Sequence, residues 1–402
     1  MAKPTLAPAE RIRVALNHQE PDRVPLDFSA TGLTGLRVEA QDALLRHLEI
    51  DDISRVVVNA QERLALPHEA LLELYPADAT GWLPTPGPLV PEDDDGEERY
   101  DWLPVVHEEE DPRGVELPRI PVRRLTDEWG VDWERRGPEY AFRPRTVPLS
   151  GELPSNAVAA HDFPDPTDER RWAAAPGIGE PPTVIGGYGR GLLETALLLR
   201  GRQDVNRDLA LDTGLTQPII ERTLDVKMRY WETRLAGLDE APALLVERER
   251  FDLLDGLPMG ESTFRQLLKP HWEQLVSLLR SLAPDSSVML FASVYSHRHV
   301  QDLVDMGFGA VNTLPADVVG ASAAFMKREY GDSIVFWGGG SWAKAEFLME
   351  SPGKAADHMK ATLDEMAPGG GFVWAPSPVI DSDVPPENVV SALDTLFEYG
   401  LY

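Results

Sequence analysis

Residues 287–314, SVMLFASVYSHRHVQDLVDMGFGAVNTL, combine two strand patterns with a helix pattern between them. The segment "SVMLFASVY" (287–295) consists almost entirely of apolar and small residues. In "VQDLVDMG" the apolar residues recur at helical spacing, and "AVNTL" (310–314) is a second short strand pattern. A buried strand, a helix and another buried strand in succession are typical of a βαβ unit with parallel strands.

The same alternation continues on both sides of this segment. Strand patterns such as "TVIGGYG", "ALLVERERFD", "IVFWGGG" and "GFVWAPS" are separated by amphipathic helix patterns from about residue 182 onwards. Two further strand patterns, "VPLDFSATG" and "RVVVNA", precede them. Because the count approaches eight, the sequence predicts a single (β/α)₈ barrel domain over residues 1–402 rather than an open sheet.

Residues 67–170 differ from the rest of the chain in composition. They are rich in Pro, Asp and Glu, as in "PTPGPLVPEDDDGEERYDWLP", and contain only short strand patterns such as "VDWERRG". We interpret this region as an acidic, Pro-rich insertion within the barrel, a β-rich flap with an exposed acidic loop at 92–99. An independent domain is disfavoured, because no run in it offers a strong core.

The charge and cysteine content exclude several classes of function. The chain has 38 Lys and Arg against 67 Asp and Glu, a net charge of −29, which repels nucleic acid and anionic membranes. There is no cysteine, so disulfides, thiolate catalysis and metal sites with sulfur ligands are excluded. No apolar run approaches the roughly 18 residues of a membrane span, and no secretory signal is visible, so we expect a cytoplasmic location.

Several motifs occur in a fixed order along the chain: "FDLLDGLPMGESTFRQLLKPHWEQL", "GDSIVFWGGG", "APGGGFVWAPS" and "DVPPENV", with "EPDRVPLDFSATG" near the start and "DEWG" at 127–130. Together they resemble the uroporphyrinogen decarboxylase superfamily, which includes the porphyrin decarboxylase and the corrinoid-linked methyltransferases. The resemblance implies one (β/α)₈ barrel with its cleft at the carboxyl ends of the strands. It also implies a homodimer in many members.

The resemblance also implies where a zinc site would lie. Methyltransferase members carry a His-x-Cys-Gly motif and a later Cys, and an ungapped count places these ligands on Phe291, Ser293 and Pro378. Phenylalanine and proline offer no lone pair, so we predict no metal site there. His297 and His299 could still bind a metal with a nearby carboxylate, although exposed or hydrogen-bonded histidines are the interpretation that we favour.

The porphyrin decarboxylase branch has an Arg-containing "RQAGRY" loop near its start that gathers the substrate carboxylates. The corresponding strand end here reads "LDFSATGLTGLR", which lacks that cluster of cations. Ser29, Thr31, Gly32 and Gly35 would leave space for a smaller ligand. The resemblance therefore does not imply an octacarboxylate porphyrin as substrate.

Five residues at predicted strand ends are candidates for catalysis. Asp27 follows an apolar strand, and burial would raise its pKa into the range of a general acid or base. Arg250 and Asp252 share a face near the end of "VERERFD", and Tyr295 with His297 forms a plausible proton-transfer pair. The competing explanations are a capping or loop aspartate and a structural ion pair.

A second group of residues is predicted to bind substrate. Arg190, in "GGYGRG", could hold a carboxylate or phosphate, or else be a surface arginine. Tryptophans around one opening favour an apolar or aromatic ligand wall, although core packing is the alternative. The predicted binding residues are Tyr188, Arg190, Ser293, Asn312, Trp337, Trp342 and Ser377.

These features lead to one main functional hypothesis and two alternatives. The main hypothesis is a metal-free lyase that decarboxylates a small carboxylated or aromatic substrate by acid/base catalysis, with no cofactor predicted. The first alternative is a corrinoid-linked methyltransferase or O-demethylase, in which a partner protein carries the corrinoid. The second is a non-catalytic ligand-binding barrel.

Overall fold

The computed structural model of the chain leaves Trp342, Pro378 and residues 92–98 of the predicted acidic loop outside the described residues. The described residues are 5–51, 57–59, 63–82, 89–90, 99–100, 107–108, 122–136, 142–167, 183–211, 214–254, 257–312, 321–338, 350–377 and 379–402. The fold is mixed α/β, built around a curled parallel sheet.

The strands are numbered along the chain. They are β1 (Val57–Asn59), β2 (Leu64–Ala65), β3 (Gly81–Trp82), β4 (Leu89–Val90), β5 (Arg99–Tyr100), β6 (His107–Glu108), β7 (Val122–Thr126), β8 (Asp132–Arg136), β9 (Arg143–Pro144), β10 (Val184–Gly186), β11 (Leu244–Arg250), β12 (Asp252–Leu254), β13 (Leu257–Pro258), β14 (Ser287–Ser293), β15 (Ala310–Asn312), β16 (Val335–Trp337) and β17 (Phe372–Val373).

The helices are numbered in the same way. They are α1 (Pro8–Leu16), α2 (Val38–His47), α3 (Glu69–Leu74), α4 (Ala157–Ala160), α5 (Leu192–Arg200), α6 (Arg202–Leu211), α7 (Thr216–Ala236), α8 (Glu261–Leu267), α9 (Lys269–Leu282), α10 (His299–Met306), α11 (Ala323–Tyr330), α12 (Pro352–Met366) and α13 (Pro386–Tyr399). Among the described residues, no helix has the length and apolar character needed to cross a bilayer.

Among the described residues, seven strands form the main sheet in the order β17-β16-β15-β14-β11-β10-β3, and every neighbouring pair is parallel. The segment Pro25–Asp27 makes backbone hydrogen bonds beyond both edges of this sheet. On one side, Trp374 N–H donates to the Pro25 carbonyl and Asp27 N–H donates to the Trp374 carbonyl, both at 2.9 Å. On the other side, Asp78 N–H, shortly before β3, donates to the Leu26 carbonyl at 2.7 Å.

The two faces of the sheet carry different apolar clusters. Leu244 and Val246 of β11 pack with Met289 of β14 and Val335 of β16, and we call this side the inner face. The alternate residues, such as Leu245, pack with the surrounding helices in a larger cluster. The period-2 alternation of the strands therefore sends one set of side chains to the inner face and the other to the helices.

Helix α1 covers the amino-terminal end of the sheet. Its Ile12 and Ala15 join the inner apolar cluster together with Ala79 and Ala243, which precede β3 and β11. We call the opposite end, where the strands reach their carboxyl termini, the mouth of the sheet. Active sites in parallel barrels form at that end, from the loops after the strands.

The predicted insertion at 67–170 contains one strand of the main sheet and several strands outside it. Its strand β3 pairs with β10 in the main sheet, so part of the region belongs to the main architecture. Further along, β6, β7, β8 and β9 form a separate antiparallel sheet, and β4 pairs with β5. Sequence composition alone did not separate these two parts, because both lie in a Pro-rich, acidic context.

Candidate functional site

The candidate site lies at the mouth, where β11 and β14 run side by side. Arg248 and Arg250 follow Leu244 and Val246 on the inner face of β11. In the parallel register, Arg248 is opposite Phe291 and Arg250 is opposite Ser293. The guanidinium-bearing side chains of Arg248 and Arg250 are 23% and 39% exposed, so both reach solvent at the mouth.

Glu194, in the first turn of α5, holds two of the arginines at the mouth. Its carboxylate lies 2.7 Å from Nη1 of Arg190 and 2.9 Å from Nε of Arg248. Burial opposes ionisation of Glu194, but the positive charges of Arg248 and Arg190 outweigh it and lower its pKa to about 2. Glu194 is therefore an anion at neutral pH.

Asp252 binds a second pair of arginines in the same way. Arg250 Nε donates to Asp252 Oδ1 at 2.5 Å and Arg250 Nη2 donates to Oδ2 at 3.1 Å. Arg202 of α6 lies 3.3 Å from Oδ2. The Asp252 side chain is fully enclosed, whereas both arginines are partly exposed. The predicted pair Arg250–Asp252 thus exists as an ion pair, with a third member that the sequence pattern did not indicate.

Glu249 lies between these two pairs and caps helix α5. Its carboxylate accepts hydrogen bonds from the backbone N–H groups of Leu193 and Glu194, both at 3.1 Å, and of Arg250 at 2.8 Å. Burial has the largest influence on this carboxyl group and raises the pKa of Glu249 to about 7. The negative charge of Glu194 also raises the pKa, whereas the three N–H groups lower it. This carboxyl group changes its charge near neutral pH.

Asp27 is fully enclosed at the end of the segment Pro25–Asp27. Its Oδ1 accepts from Ala30 N–H at 2.7 Å, and its Oδ2 accepts from Thr34 Oγ1 and from Trp337 Nε1, both at 2.8 Å. Burial raises the pKa of Asp27, against the three donors that favour the anion. Asp27 therefore connects the loop that contains Ala30 and Thr34 to Trp337 of β16.

Strand β14 ends at Ser293, two residues earlier than the predicted strand. Val294 has φ = 52°, a left-handed conformation that is a genuine outlier for a β-branched residue. The turn breaks the alternation, so Tyr295 does not continue the face of Ser293. Tyr295 is buried instead, and its hydroxyl donates to the Asn312 carbonyl at 3.0 Å. The Asn312 side chain bonds the backbone of Ala292 in both directions.

The two histidines after β14 have different surroundings. His299 is buried between Phe251 and Phe264, its Nδ1 accepts from Ser296 N–H at 3.0 Å, and burial lowers its pKa, so it is a neutral core residue. His297 is partly exposed and its ring meets Phe325 edge-on at 5.5 Å. Within the described residues, no group of three or more His, Asp or Glu side chains is placed to hold a metal ion.

The loop after β10 is held from two sides. Beneath it, the buried Lys227 donates to the Tyr188 carbonyl at 2.9 Å and to Glu247 at 2.6 Å. Above it, the antiparallel sheet supplies Trp133, whose ring lies 5.0 Å from the Arg190 guanidinium carbon, and the adjoining turn supplies Trp129, 6.1 Å from the Tyr188 ring. The insertion therefore contributes directly to the surroundings of Arg190.

Tyr188, Trp337 and Ser377, three of the predicted binding residues, are buried. Two residues that sequence reasoning did not select for this site, Arg248 and Glu194, are central to it. The signal for Arg248 was present in the alternation of "VERERFD", since it shares a face with Arg250. No local pattern indicated that Glu194 would reach Arg248, which is 54 residues away in sequence.

Comparisons with known proteins add information on the fold. No family model matches the chain, and no curated protein sequence matches it. A solved methyltransferase from Methanosarcina mazei aligns with 98% of this chain and 99% of its own, with a TM-score of 0.58 and 16% sequence identity. The likeness is one of fold. Native xylanase 10B from Thermotoga maritima aligns with 54% of this chain and 75% of its own, with a TM-score of 0.32 and 11% sequence identity.

Proposed function

We propose that this protein is an enzyme of the uroporphyrinogen decarboxylase superfamily that transfers a methyl group between a small substrate at the mouth and a corrinoid-carrying partner protein. The observation that carries this proposal is the full-length structural likeness to a methyltransferase, which extends over both chains almost completely. The motifs "GDSIVFWGGG", "APGGG" and "PPENV" support the same superfamily.

The proposal includes a closed (β/α)₈ barrel of eight strands. The seven strands of the main sheet follow one another in chain order, and the segment Pro25–Asp27 hydrogen-bonds both to Trp374 after β17 and to Asp78 before β3. A segment that bonds to both edges of a parallel sheet is what closure of a barrel requires. The mouth then becomes the floor of a cleft bounded by the loops after the strands.

The zinc-dependent route that the resemblance implies does not fit this chain. The positions of two expected ligands are occupied by Phe291 and Ser293, on the inner face of β14. Neither side chain is a usual zinc ligand. We therefore derive no step through zinc, and a substrate that depends on zinc to form a thiolate is not part of the proposal.

Without such a metal, methyl transfer is easiest from a methoxyl donor, because cations can stabilise the oxygen that leaves. A corrinoid carried by the partner protein would supply the nucleophile that accepts the methyl group. The bond from methyl carbon to donor oxygen would break, and the oxygen would keep the electron pair. In this proposal Arg250, which lies opposite Ser293, would stabilise that oxyanion, and His297 would be its proton donor.

Asp27 has a positioning role in this proposal. Its carboxylate holds Trp337 and the loop that begins at Ala30, so it fixes one wall of the cleft. Three more of the predicted residues position their neighbours: Asn312 and Tyr295 fix the turn after β14, and Asp252 orients Arg250. The acting groups of the proposal are thus Arg250 and His297.

The test is a methyl-transfer assay of the purified protein with free cob(I)alamin as the acceptor and a panel of methoxylated aromatic compounds as donors. The absorbance change on formation of methylcobalamin reports the reaction. We expect turnover with at least one donor, and a loss of about a hundredfold or more in the Arg250→Gln variant, since removing one stabilising donor of a developing charge has that size of effect.

Two results would overturn the proposal. Release of carbon dioxide from a carboxylated substrate, with no methyl transfer to any acceptor, would restore the decarboxylase hypothesis. Tight binding of a panel member without any turnover, by either assay, would favour a binding barrel that performs no reaction.

A further inference from the structure

We propose that the mouth is an anion site, in which Arg248 and Arg250 bind the carboxylate of the small substrate at the positions where a zinc ion would otherwise lie. This inference rests on the proposed function for the identity of the site, and it adds the chemical class of the substrate.

The first argument is the register of β11 and β14. Arg248 is opposite Phe291 and Arg250 is opposite Ser293, so each of the two expected ligand positions on β14 has an arginine on the neighbouring strand. Neighbouring strands lie about 4.8 Å apart. A divalent cation at Phe291 and Ser293 would therefore share this part of the mouth with two guanidinium groups, and like charges repel. The same arrangement attracts an anion.

The second argument is the concentration of guanidiniums at the mouth. Each of two carboxylates is shared between two of them: Glu194 pairs with Arg190 and Arg248, and Asp252 pairs with Arg202 and Arg250. Four arginines thus gather at one end of the sheet in a chain whose net charge is −29. A guanidinium has five N–H donors, so it can bind a second anion while it keeps its first.

The third argument concerns geometry and surroundings. Residues two apart on a strand are about 6.8 Å apart along it, a span that lets two guanidiniums approach one carboxylate from both sides. Planar guanidiniums form paired hydrogen bonds with carboxylates. Phe291, which is partly exposed and packs against the inner apolar cluster, offers an apolar surface beside them. An aromatic carboxylate matches this pairing of guanidiniums with an apolar surface.

The probe is benzoate, with neutral benzamide as its matched control, and binding is measured by isothermal titration calorimetry. Benzamide has the same shape but lacks the negative charge. We expect the wild-type protein to prefer benzoate by about tenfold or more, and the preference to disappear in Arg250→Gln and in Arg248→Gln. Arg250→Lys should keep part of it, because a lysine retains the charge but not the paired geometry.

The control variant is Arg222→Gln, which removes a guanidinium from an exposed ion pair with Asp225 on α7. It should bind benzoate as the wild type does. Circular dichroism establishes that each variant is folded. Should Arg250→Gln unfold, the salt dependence of benzoate binding to the wild type replaces it, and we expect weaker binding in about 0.5 M than in about 0.05 M NaCl.

Equal binding of benzoate and benzamide, or equal effects of Arg250→Gln and Arg222→Gln, would overturn the inference. The outcome is independent of the methyl-transfer assay. Benzoate binding that depends on Arg250, in a protein that transfers no methyl group, would uphold the anion site and refute the proposed function. Methyl transfer from neutral donors, without a preference for benzoate over benzamide, would uphold the proposed function and refute the anion site.

Discussion

The two ends of the parallel sheet use the same arrangement of charges in opposite surroundings. At the amino-terminal end, Asp78 pairs with Arg11 and Arg23, whose side chains are only 4% and 6% exposed. At the mouth, Glu194 and Asp252 each pair with two arginines that are 19–39% exposed. At the two ends of the sheet, a carboxylate between two guanidiniums therefore lies in a closed environment at Asp78 and in open environments at Glu194 and Asp252.

The difference lies in access to solvent. Arg11 also pairs with Asp22, and helix α1 encloses the amino-terminal cluster, so its charges serve the packing of the fold. At the mouth, four guanidiniums share Glu194 and Asp252, and their side chains reach solvent. One end of the sheet is therefore closed, and the guanidiniums at the other end are exposed to solvent.

The largest expected effect is from Asp78→Asn at the closed end. The substitution leaves two buried guanidiniums without their shared carboxylate, and breaking a buried pair in this way costs about 3–5 kcal/mol. Urea denaturation measures the free energy of unfolding. Glu194→Gln is the matched variant at the mouth, and we expect a smaller loss because water can solvate Arg190 and Arg248. Equal losses in the two variants would remove the distinction between the ends.

The second prediction uses the pH dependence of stability at the mouth. Burial raises the pKa of Glu249 to about 7, above its ordinary value of 4.5, so its stabilising contribution is complete below pH 4.5 and is lost as pH rises through about 7. Glu249→Gln imitates the protonated group at every pH. We expect the variant to gain stability relative to the wild type over this window, by at most about 1.4 kcal/mol per pH unit.

Urea denaturation of both proteins at about pH 5 and about pH 8, on either side of most of this window, provides the measurement. The amide N–H of the variant faces the backbone donors of α5, which lowers its stability by the same amount at every pH. Comparing how much the free energy of unfolding changes between the two pH values removes this constant cost. Parallel pH curves for wild type and variant would mean that Glu249 stays ionised, and the mouth would then carry one more negative charge than we infer.

The smallest effect is expected from Val294→Gly, which tests strain in the turn after β14. A left-handed backbone at a residue of this kind costs about 1–3 kcal/mol, and glycine adopts it freely. After the entropy cost of glycine, we expect a gain of about 1 kcal/mol in the free energy of unfolding. Val294→Ala keeps the strained conformation and is the control. A loss of stability in the glycine variant would show that contacts of the valine side chain outweigh the strain.

The parallel βαβ character of the chain could be predicted from sequence, because it depends on local periodicity. Strand "SVMLFAS" and the helix after it are where the pattern indicates them, and the alternation in "VERER" correctly separates Glu247 and Glu249 from Arg248 and Arg250. Local patterns were less reliable at ends of elements. The predicted strand at 288–295 extends two residues beyond Ser293, since nothing in the sequence reveals that Val294 adopts a positive φ.

The pairing of charges could not be predicted, because it joins residues that are distant in sequence. Glu194 and Arg248 are 54 positions apart, and Asp78 binds an arginine 67 positions before it. Likewise, Asp27 contacts Trp337 only because the segment Pro25–Asp27 lies beside the last strands of the sheet. Such contacts determine which partner each of these charged groups has.

The sequence by itself determined the α/β class with parallel strands and the absence of cysteine chemistry, since these follow from local period and residue type. Only the tertiary structure decided which charges are enclosed and which reach solvent. Burial and pairing are properties of the whole packed chain, and they determine whether an arginine stabilises the fold or remains able to bind an anion.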